Sequence, residues 1–123
     1  LENAKINATD VDLVSAHATA TKMGDIIEAQ ATGRVFDKGP YVVGLKGYIG
    51  HTMAACGVIE TIMTLYMMQE GFIAPTLNLE ELDERCAMIR HVQNLVELKT
   101  NTAAIQNFAF GGVNTSLLIR KWT

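Results

Sequence analysis

The chain has 123 residues, of which 49% are hydrophobic and 19% charged, and this composition is that of one globular domain rather than a disordered segment. A formal net charge of −3 without any run of Lys or Arg argues against a nucleic-acid-binding protein. The two cysteines make no disulfide framework and have no metal-ligand spacing around them, so we expect no metal site and a reducing, cytoplasmic location.

Residues 1–10 are polar and contain no apolar stretch, so they predict no signal peptide. Their pattern indicates the end of a preceding helix or a linker, before a domain that spans residues 11–123. The chain does not begin with Met, which suggests a fragment or a processed piece.

Residues 11–44 predict a strand, a helix and a second strand. Residues 11–16 alternate and then become apolar, and residues 41–44 contain a run typical of a strand. Between them, Asp25 fits an N-cap with Glu28 three residues later, in the manner of a capping box, and the helix would end near residues 33–36. This order implies a parallel pair joined by a right-handed crossover.

Residues 52–69 predict a long helix that is apolar almost all round. Its length just reaches that of a membrane span, but Glu60 in its middle and the α/β pattern of the rest argue against one. A helix that is apolar on every side is usually buried in the centre of a larger protein or an oligomer. Gly71 would end this helix, and Pro75 would prevent an early restart.

The last third predicts a hairpin. Residues 76–79 read as extended, 80–85 as a charged loop or short helical turn, and 86–100 as a mixed pattern. Residues 102–108 and 115–121 then read as two strands around a bend that contains Gly111 and Gly112.

The glycine-rich stretch of residues 44–51 is a candidate functional loop. It follows a predicted strand and precedes the long predicted helix, and glycines there allow a tight turn and a close backbone approach to a ligand. We expect His51 to lie at the start of that helix, where the helix dipole favours a neutral imidazole. His17, the loop of residues 46–51 and the bend of residues 108–114 all follow strands. In open α/β sheets, ligands bind at such strand ends.

Several motifs resemble those of type II β-ketoacyl-acyl carrier protein synthases, of the synthase I and II kind. They occur in the order and at the spacing of that family from residue 11 to the end, so the chain is identified as its C-terminal domain. The matching stretches are Ser15-Ala16-His17-Ala18-Thr19-Ala20-Thr21, Leu45-Lys46-Gly47-Tyr48-Ile49-Gly50-His51, Ala54-Ala55-Cys56-Gly57-Val58-Ile59-Glu60, Pro75-Thr76-Leu77-Asn78-Leu79 and Asn107-Phe108-Ala109-Phe110-Gly111-Gly112-Val113-Asn114.

The resemblance implies a decarboxylative Claisen condensation. A Cys in the N-terminal half of such enzymes carries the acyl chain as a thioester, and malonyl on acyl carrier protein attacks it. His17, His51 and Lys46 would be the catalytic residues here, with the two neutral histidines holding the malonyl thioester carbonyl as the enolate develops. Glu60 would form an ion pair with Lys46, because a buried carboxylate without a partner is costly.

Phe110 resembles the family's gating Phe, and Gly111 and Gly112 would let its loop move. Ala18 and Ala109 stand where the family has Gly, which restricts the backbone at these points. Cys56 lies where the family has a small residue, and we interpret it, like Cys86, as a packed small hydrophobe. The nucleophile is therefore absent from this chain.

The resemblance also implies a thiolase-like fold, a three-layer α/β/α half-fold with a mixed sheet. Expected partners are acyl carrier protein, malonyl and acyl thioesters, the N-terminal half and a second subunit in a homodimer, with no cofactor and no membrane. Two alternatives stay open: a non-catalytic partner subunit of the chain-length-factor type, and a polyketide ketosynthase. A thiolase fits less well. We expect the isolated chain to be inactive and to self-associate.

Overall fold

The computed structural model describes residues 1–122. A five-stranded sheet forms its centre, and the strands lie in the order β4-β2-β1-β6-β7. These strands are β1 (Leu13–Ala16), β2 (Tyr41–Gly44), β4 (Arg90–His91), β6 (Thr102–Ala109) and β7 (Val113–Arg120), while β3 (Phe72–Ile73) and β5 (Val96–Glu97) pair separately. All neighbours in the large sheet are parallel except β6 and β7, so the predicted mixed sheet is confirmed.

Two helices cover opposite faces of this sheet. Successive residues of β1 point to opposite sides, and Val14 packs in the apolar cluster that contains α1 (Gly24–Phe36), whereas Leu13 packs in the cluster that contains α3 (Cys56–Glu70). All four residues of β1 are buried, as expected for a central strand covered on both faces. The predicted three-layer α/β/α arrangement is confirmed.

The start of α1 differs from the prediction. Met23 is the N-cap and the helix begins at Gly24, so Asp25 lies inside the first turn and does not cap the helix. The Asp25 carboxylate instead accepts a hydrogen bond from the Ala20 N–H, in the loop before the helix. Glu28 closes no capping box, because its carboxylate turns towards the end of β1.

The long helix also begins later than predicted. Met53 has φ 54°, a left-handed conformation that an α-helix does not accept, and residues Met53–Ala55 form a 3₁₀ turn before α3 begins at Cys56. His51 therefore does not lie at a helix start. The end was predicted correctly: Gly71 adopts φ 79° and its N–H donates to the Met67 carbonyl.

Several short elements were not predicted, among them the paired two-residue strands β3 and β5. Lys46–Ile49 forms a single helical turn, α2, within the stretch expected to be a glycine-rich loop. Strand β4 extends the sheet beyond β2, although two residues are too few to give a periodic signal. The hairpin is confirmed, and β6 and β7 continue to Ala109 and Val113, closer to the bend than expected.

The first ten residues contain two 3₁₀ turns, Glu2–Ala4 and Ala8–Asp10, and Leu1, Ile6 and Ala8 pack against the cluster on the α1 side. Within residues 1–122, no helix is both long and apolar enough to cross a membrane.

Candidate active site

His17 stands directly after β1, in a loop that the Glu28 carboxylate holds. The backbone N–H of His17 donates to one Glu28 oxygen (2.7 Å), and that of Ala18 donates to the other (2.8 Å). Ala18 has φ 39°, a left-handed conformation that costs a residue with a Cβ about 1 kcal/mol or more. The two charge-assisted hydrogen bonds offset this cost and fix the point at which the His17 side chain leaves the sheet.

Glu28 is a positioning residue that sequence reasoning missed. Only 8% of its surface is exposed. Burial raises its pKa, and the hydrogen bonds from Ala18 and His17 oppose that shift. A signal was present in the sequence, because a carboxylate on a helix face next to Ala29 and Ile26 needs a partner when it is buried. The capping-box pattern instead predicted that Glu28 would pair with Asp25 at the start of α1.

Lys46 and Glu60 form the ion pair that the resemblance implied. Lys46 begins α2, immediately after β2, and its ammonium donates to Oε1 of Glu60 in α3. The exposed fractions of the two side chains are 6% and 0%. Burial raises the pKa of Glu60, whereas the hydrogen bond and the charge of Lys46 lower it. This pair places a positive charge beyond the carboxyl end of β2, beside α3.

The contacts of His51 define which of its ring nitrogens carries the proton. The backbone N–H of Met53 donates to Nδ1 of His51 over 3.1 Å, so Nδ1 is the acceptor. A neutral imidazole with an accepting Nδ1 has its hydrogen on Nε2. His51 therefore presents an N–H donor on Nε2, although it lies in the loop before the 3₁₀ turn of residues 53–55 and not at a helix start.

The two histidines lie next to each other. Their ring centroids are 5.4 Å apart and the rings are perpendicular. Burial lowers the pKa of His17, the positive charge of Lys46 lowers it further, and the Asn107 side chain has the opposite effect. His17 is consequently neutral at pH 7. The structure thus brings together His17, His51 and the Lys46–Glu60 pair from three separate parts of the sequence.

Strand β6 supplies the third side of this site. The Phe108 ring lies 6.0 Å from the His17 ring in an edge-to-face arrangement. Asn107 also faces α3, since a Cβ added at Gly57 would lie 3.5 Å from its amide nitrogen. Helix α3 and strand β6 therefore approach each other closely at Gly57.

The structure does not bring Phe110 into this cluster. Its side chain is fully exposed at the tip of the β6–β7 bend, where Gly111 and Gly112 have φ values of 89° and 82°. Apart from the chain neighbours of each glycine, no atom of residues 1–122 lies within 4 Å of where a Cβ would stand at Gly111 or Gly112.

A cavity of about 340 Å³ on the α1 side is lined by Glu28 and Ala18, but by neither His17 nor His51. No group of three or more His, Cys, Asp or Glu side chains within residues 1–122 is arranged to hold a metal ion.

Ketosynthases are among the solved structures that this chain resembles. A β-ketoacyl synthase from Burkholderia phymatum superposes on the whole chain with a TM-score of 0.96 at 42% identity, and the chain covers 30% of that structure. The ishigamide ketosynthase/chain length factor gives a TM-score of 0.94 at 32% identity, again over the whole chain and 31% of its own length. Fold and site together define the thiolase-like class of condensing enzymes.

Sequence comparison gives the family. Residues 1–80 match the model of the β-ketoacyl synthase C-terminal domain. The 3-oxoacyl-[acyl-carrier-protein] synthase 1 of Escherichia coli is 40% identical over 114 residues, which is 92% of this chain and 28% of that protein. The chain belongs to the β-ketoacyl synthase family, as a C-terminal domain. It spans less than a third of the length of the curated relatives that it matches.

Proposed function

We propose that this chain is the C-terminal half of a 3-oxoacyl-acyl carrier protein synthase of fatty acid biosynthesis. The full-length enzyme would condense malonyl carried on acyl carrier protein with an acyl chain held as a thioester on a Cys of the N-terminal half. The observation that carries this proposal is the pair of perpendicular imidazoles, 5.4 Å apart, beside the buried Lys46–Glu60 pair. The name of the E. coli relative supports the same reaction and the same carrier protein.

The histidines suit the decarboxylation step. When the malonyl C–CO₂ bond breaks, its electron pair moves into the thioester and negative charge develops on the carbonyl oxygen. Nε2–H of His51 and the neutral ring of His17 would donate hydrogen bonds to that oxygen. Fixed donors of this kind stabilise a developing oxyanion more than the neutral carbonyl, so they lower the barrier.

Lys46 contributes charge rather than a proton. Its positive charge disfavours protonation of His17, and Glu60 keeps the ammonium in place and compensated. The enolate carbon then attacks the acyl thioester, a new C–C bond forms, and the Cys thiolate of the N-terminal half leaves. The extended product stays on the carrier protein.

The remaining parts of the proposal concern the bend and the assembly. Phe110, carried by Gly111 and Gly112, would act as a gate over the acyl pocket that the N-terminal half completes. We also propose that the full-length protein works as a homodimer in the cytoplasm.

The test is a malonyl-carrier decarboxylation assay on the full-length protein, with His17→Ala and His51→Ala. We expect each substitution to lower kcat by about 10²-fold or more, the effect of removing one oxyanion donor, while acylation of the nucleophile survives. His91→Gln is the matched control, because His91 donates to the Cys86 carbonyl away from the site. If the wild-type protein neither acylates nor decarboxylates, the protein is a non-catalytic partner subunit. The similarity to the ketosynthase/chain length factor gives that second candidate its support.

A further inference from the structure

Cys56 contacts a candidate catalytic histidine. It is the first residue of α3, is 2% exposed, and its Sγ lies 3.0 Å from Nδ1 of His51. The Thr52 hydroxyl donates to the same sulfur over 3.4 Å. A small hydrophobe, which is what the sequence suggested for this position, would need neither contact.

The direction of the Cys56–His51 hydrogen bond follows from a third group. Nδ1 of His51 already accepts from the Met53 N–H, so it carries no hydrogen and cannot donate to sulfur. The thiol must therefore be the donor. The resulting chain runs from the Thr52 hydroxyl to the Cys56 thiol to the His51 ring, and hydrogen bonds in such a chain strengthen one another away from water.

We propose that Cys56 is a positioning residue for His51: its thiol donates to Nδ1, fixes the ring and keeps the second nitrogen as the N–H donor for the thioester carbonyl. This inference rests on the proposed function of His51. The backbone N–H of residue 53 and the thiol at the helix start share the single lone pair of Nδ1, and both disfavour the tautomer with hydrogen on Nδ1. They also restrict rotation of the ring, because each donor is fixed by its own element.

The contact itself can be tested without an activity assay. The S–H stretch of Cys56 is isolated by subtracting the Raman spectrum of full-length Cys56→Ser from that of the wild-type protein. We expect a band at the low-frequency position of a hydrogen-bonded thiol, moving to higher frequency in His51→Ala. The band of Cys86, removed by Cys86→Ala, should not respond to His51→Ala, since that thiol lies near the Asp25 carbonyl.

Two spectroscopic results would overturn the proposal. A Cys56 band unaffected by His51→Ala means that the thiol does not donate to that ring. An absent band means that the sulfur is a thiolate, and then it cannot be a donor at all.

Kinetics then test the positioning role. Cys56→Ala should lower kcat for malonyl decarboxylation by about three- to tenfold, the effect of one modest hydrogen bond, with KM unchanged because the thiol does not reach substrate. Cys56→Ser keeps a donor and should recover most of kcat, while Cys86→Ala should match the wild type. Equal activity of Cys56→Ala and wild type overturns the inference. If instead His51→Ala decarboxylates normally, the proposed function has failed, and the Raman result for the contact still stands separately.

Discussion

The Lys46–Glu60 and Asp83–Arg85 ion pairs differ in how far water reaches them. Both side chains of the Lys46–Glu60 pair are nearly inaccessible to water, whereas in the Asp83–Arg85 pair the two side chains are 43% and 57% exposed. A buried ion pair contributes little net stability relative to apolar residues, but removal of one partner leaves a buried charge uncompensated. An exposed pair is screened by water and salt.

Lys46→Met should therefore lower the free energy of unfolding by about 3–5 kcal/mol at pH 8. The loss should be smaller at pH 5.5, because burial raises the pKa of Glu60 and a lone buried carboxyl takes up a proton. Urea unfolding of the full-length protein at both pH values measures this. Arg85→Met is the matched control and should leave the unfolding midpoint unchanged; equal losses for both variants would contradict the argument.

His17 should make stability depend on pH. Its pKa is lowered by burial and by the charge of Lys46. Between pH 6.5 and the folded-state pKa of His17, the unfolded chain therefore binds the proton and the native chain does not. Stability contributed by neutral His17 is then complete above pH 6.5 and is lost as pH falls through that window.

The measurement is the urea midpoint of full-length wild type and His17→Gln between pH 5 and 7.5. The difference between the two proteins should change with pH only below about 6.5, which removes the effects of Glu28 and Glu60 common to both. A difference that is constant across the range would show that the His17 pKa is the same in both states.

At the scale of elements, the loop between β1 and α1 is held by the Glu28 carboxylate, which lies eleven residues after His17 in the sequence. Glu28 accepts both N–H groups at the strand end, and Ala18 keeps its left-handed backbone because those bonds hold it. Helix α1 thus does more than cover the sheet: it fixes the position of a candidate catalytic residue.

Glu28→Ala should lower the free energy of unfolding by about 2–4 kcal/mol, because it leaves two partly buried N–H groups without acceptors. It should also lower decarboxylation, since the His17 ring would no longer be held at one position. Gln30→Ala on the exposed side of the same helix is the control for helix propensity and should change neither quantity. Unfolding by urea and the decarboxylation rate, both on the full-length protein, give the two readouts. Normal stability of Glu28→Ala would mean that water satisfies these N–H groups.

At the scale of the whole molecule, α3 has one apolar face that no other part of residues 1–122 covers. Val58, Ile62, Leu65 and Tyr66 recur at helical spacing and are 48–65% exposed. Beside them, a groove of about 440 Å³ lies between α3 and strands β6 and β7. The opposite face, with Glu60, Thr64 and Met67, is buried against the sheet. Such a contiguous apolar surface is typical of an interface.

We expect the isolated 123-residue chain to self-associate through this face and to lack condensing activity. Ile62→Lys combined with Tyr66→Lys should shift the chain towards monomer in sedimentation experiments, because burial of a Lys ammonium in the contact is costly. Gln69→Lys with Gln30→Lys adds the same charge at exposed positions and should leave association unchanged. A monomeric wild-type chain, or acyl transfer by it alone, would refute the expectation.

The sequence by itself determined the elements that have a periodic or punctuated signal: β1, α1, β2, the body and end of α3, and the hairpin of β6 and β7. It also singled out His17, Lys46, His51 and Glu60 through their motifs, because these occur at fixed spacing along the chain.

The tertiary structure alone decided what depends on contacts between distant segments. Asp25 and Glu28 fit a capping box by local spacing, yet both turn to the β1 loop, because only folding brings that loop over α1. The left-handed Met53 delays α3, removes His51 from the helix start and puts Cys56 against its ring. Local patterns record the period of a helix or strand, but a hydrogen bond across the fold is set by packing, which no short window of sequence contains.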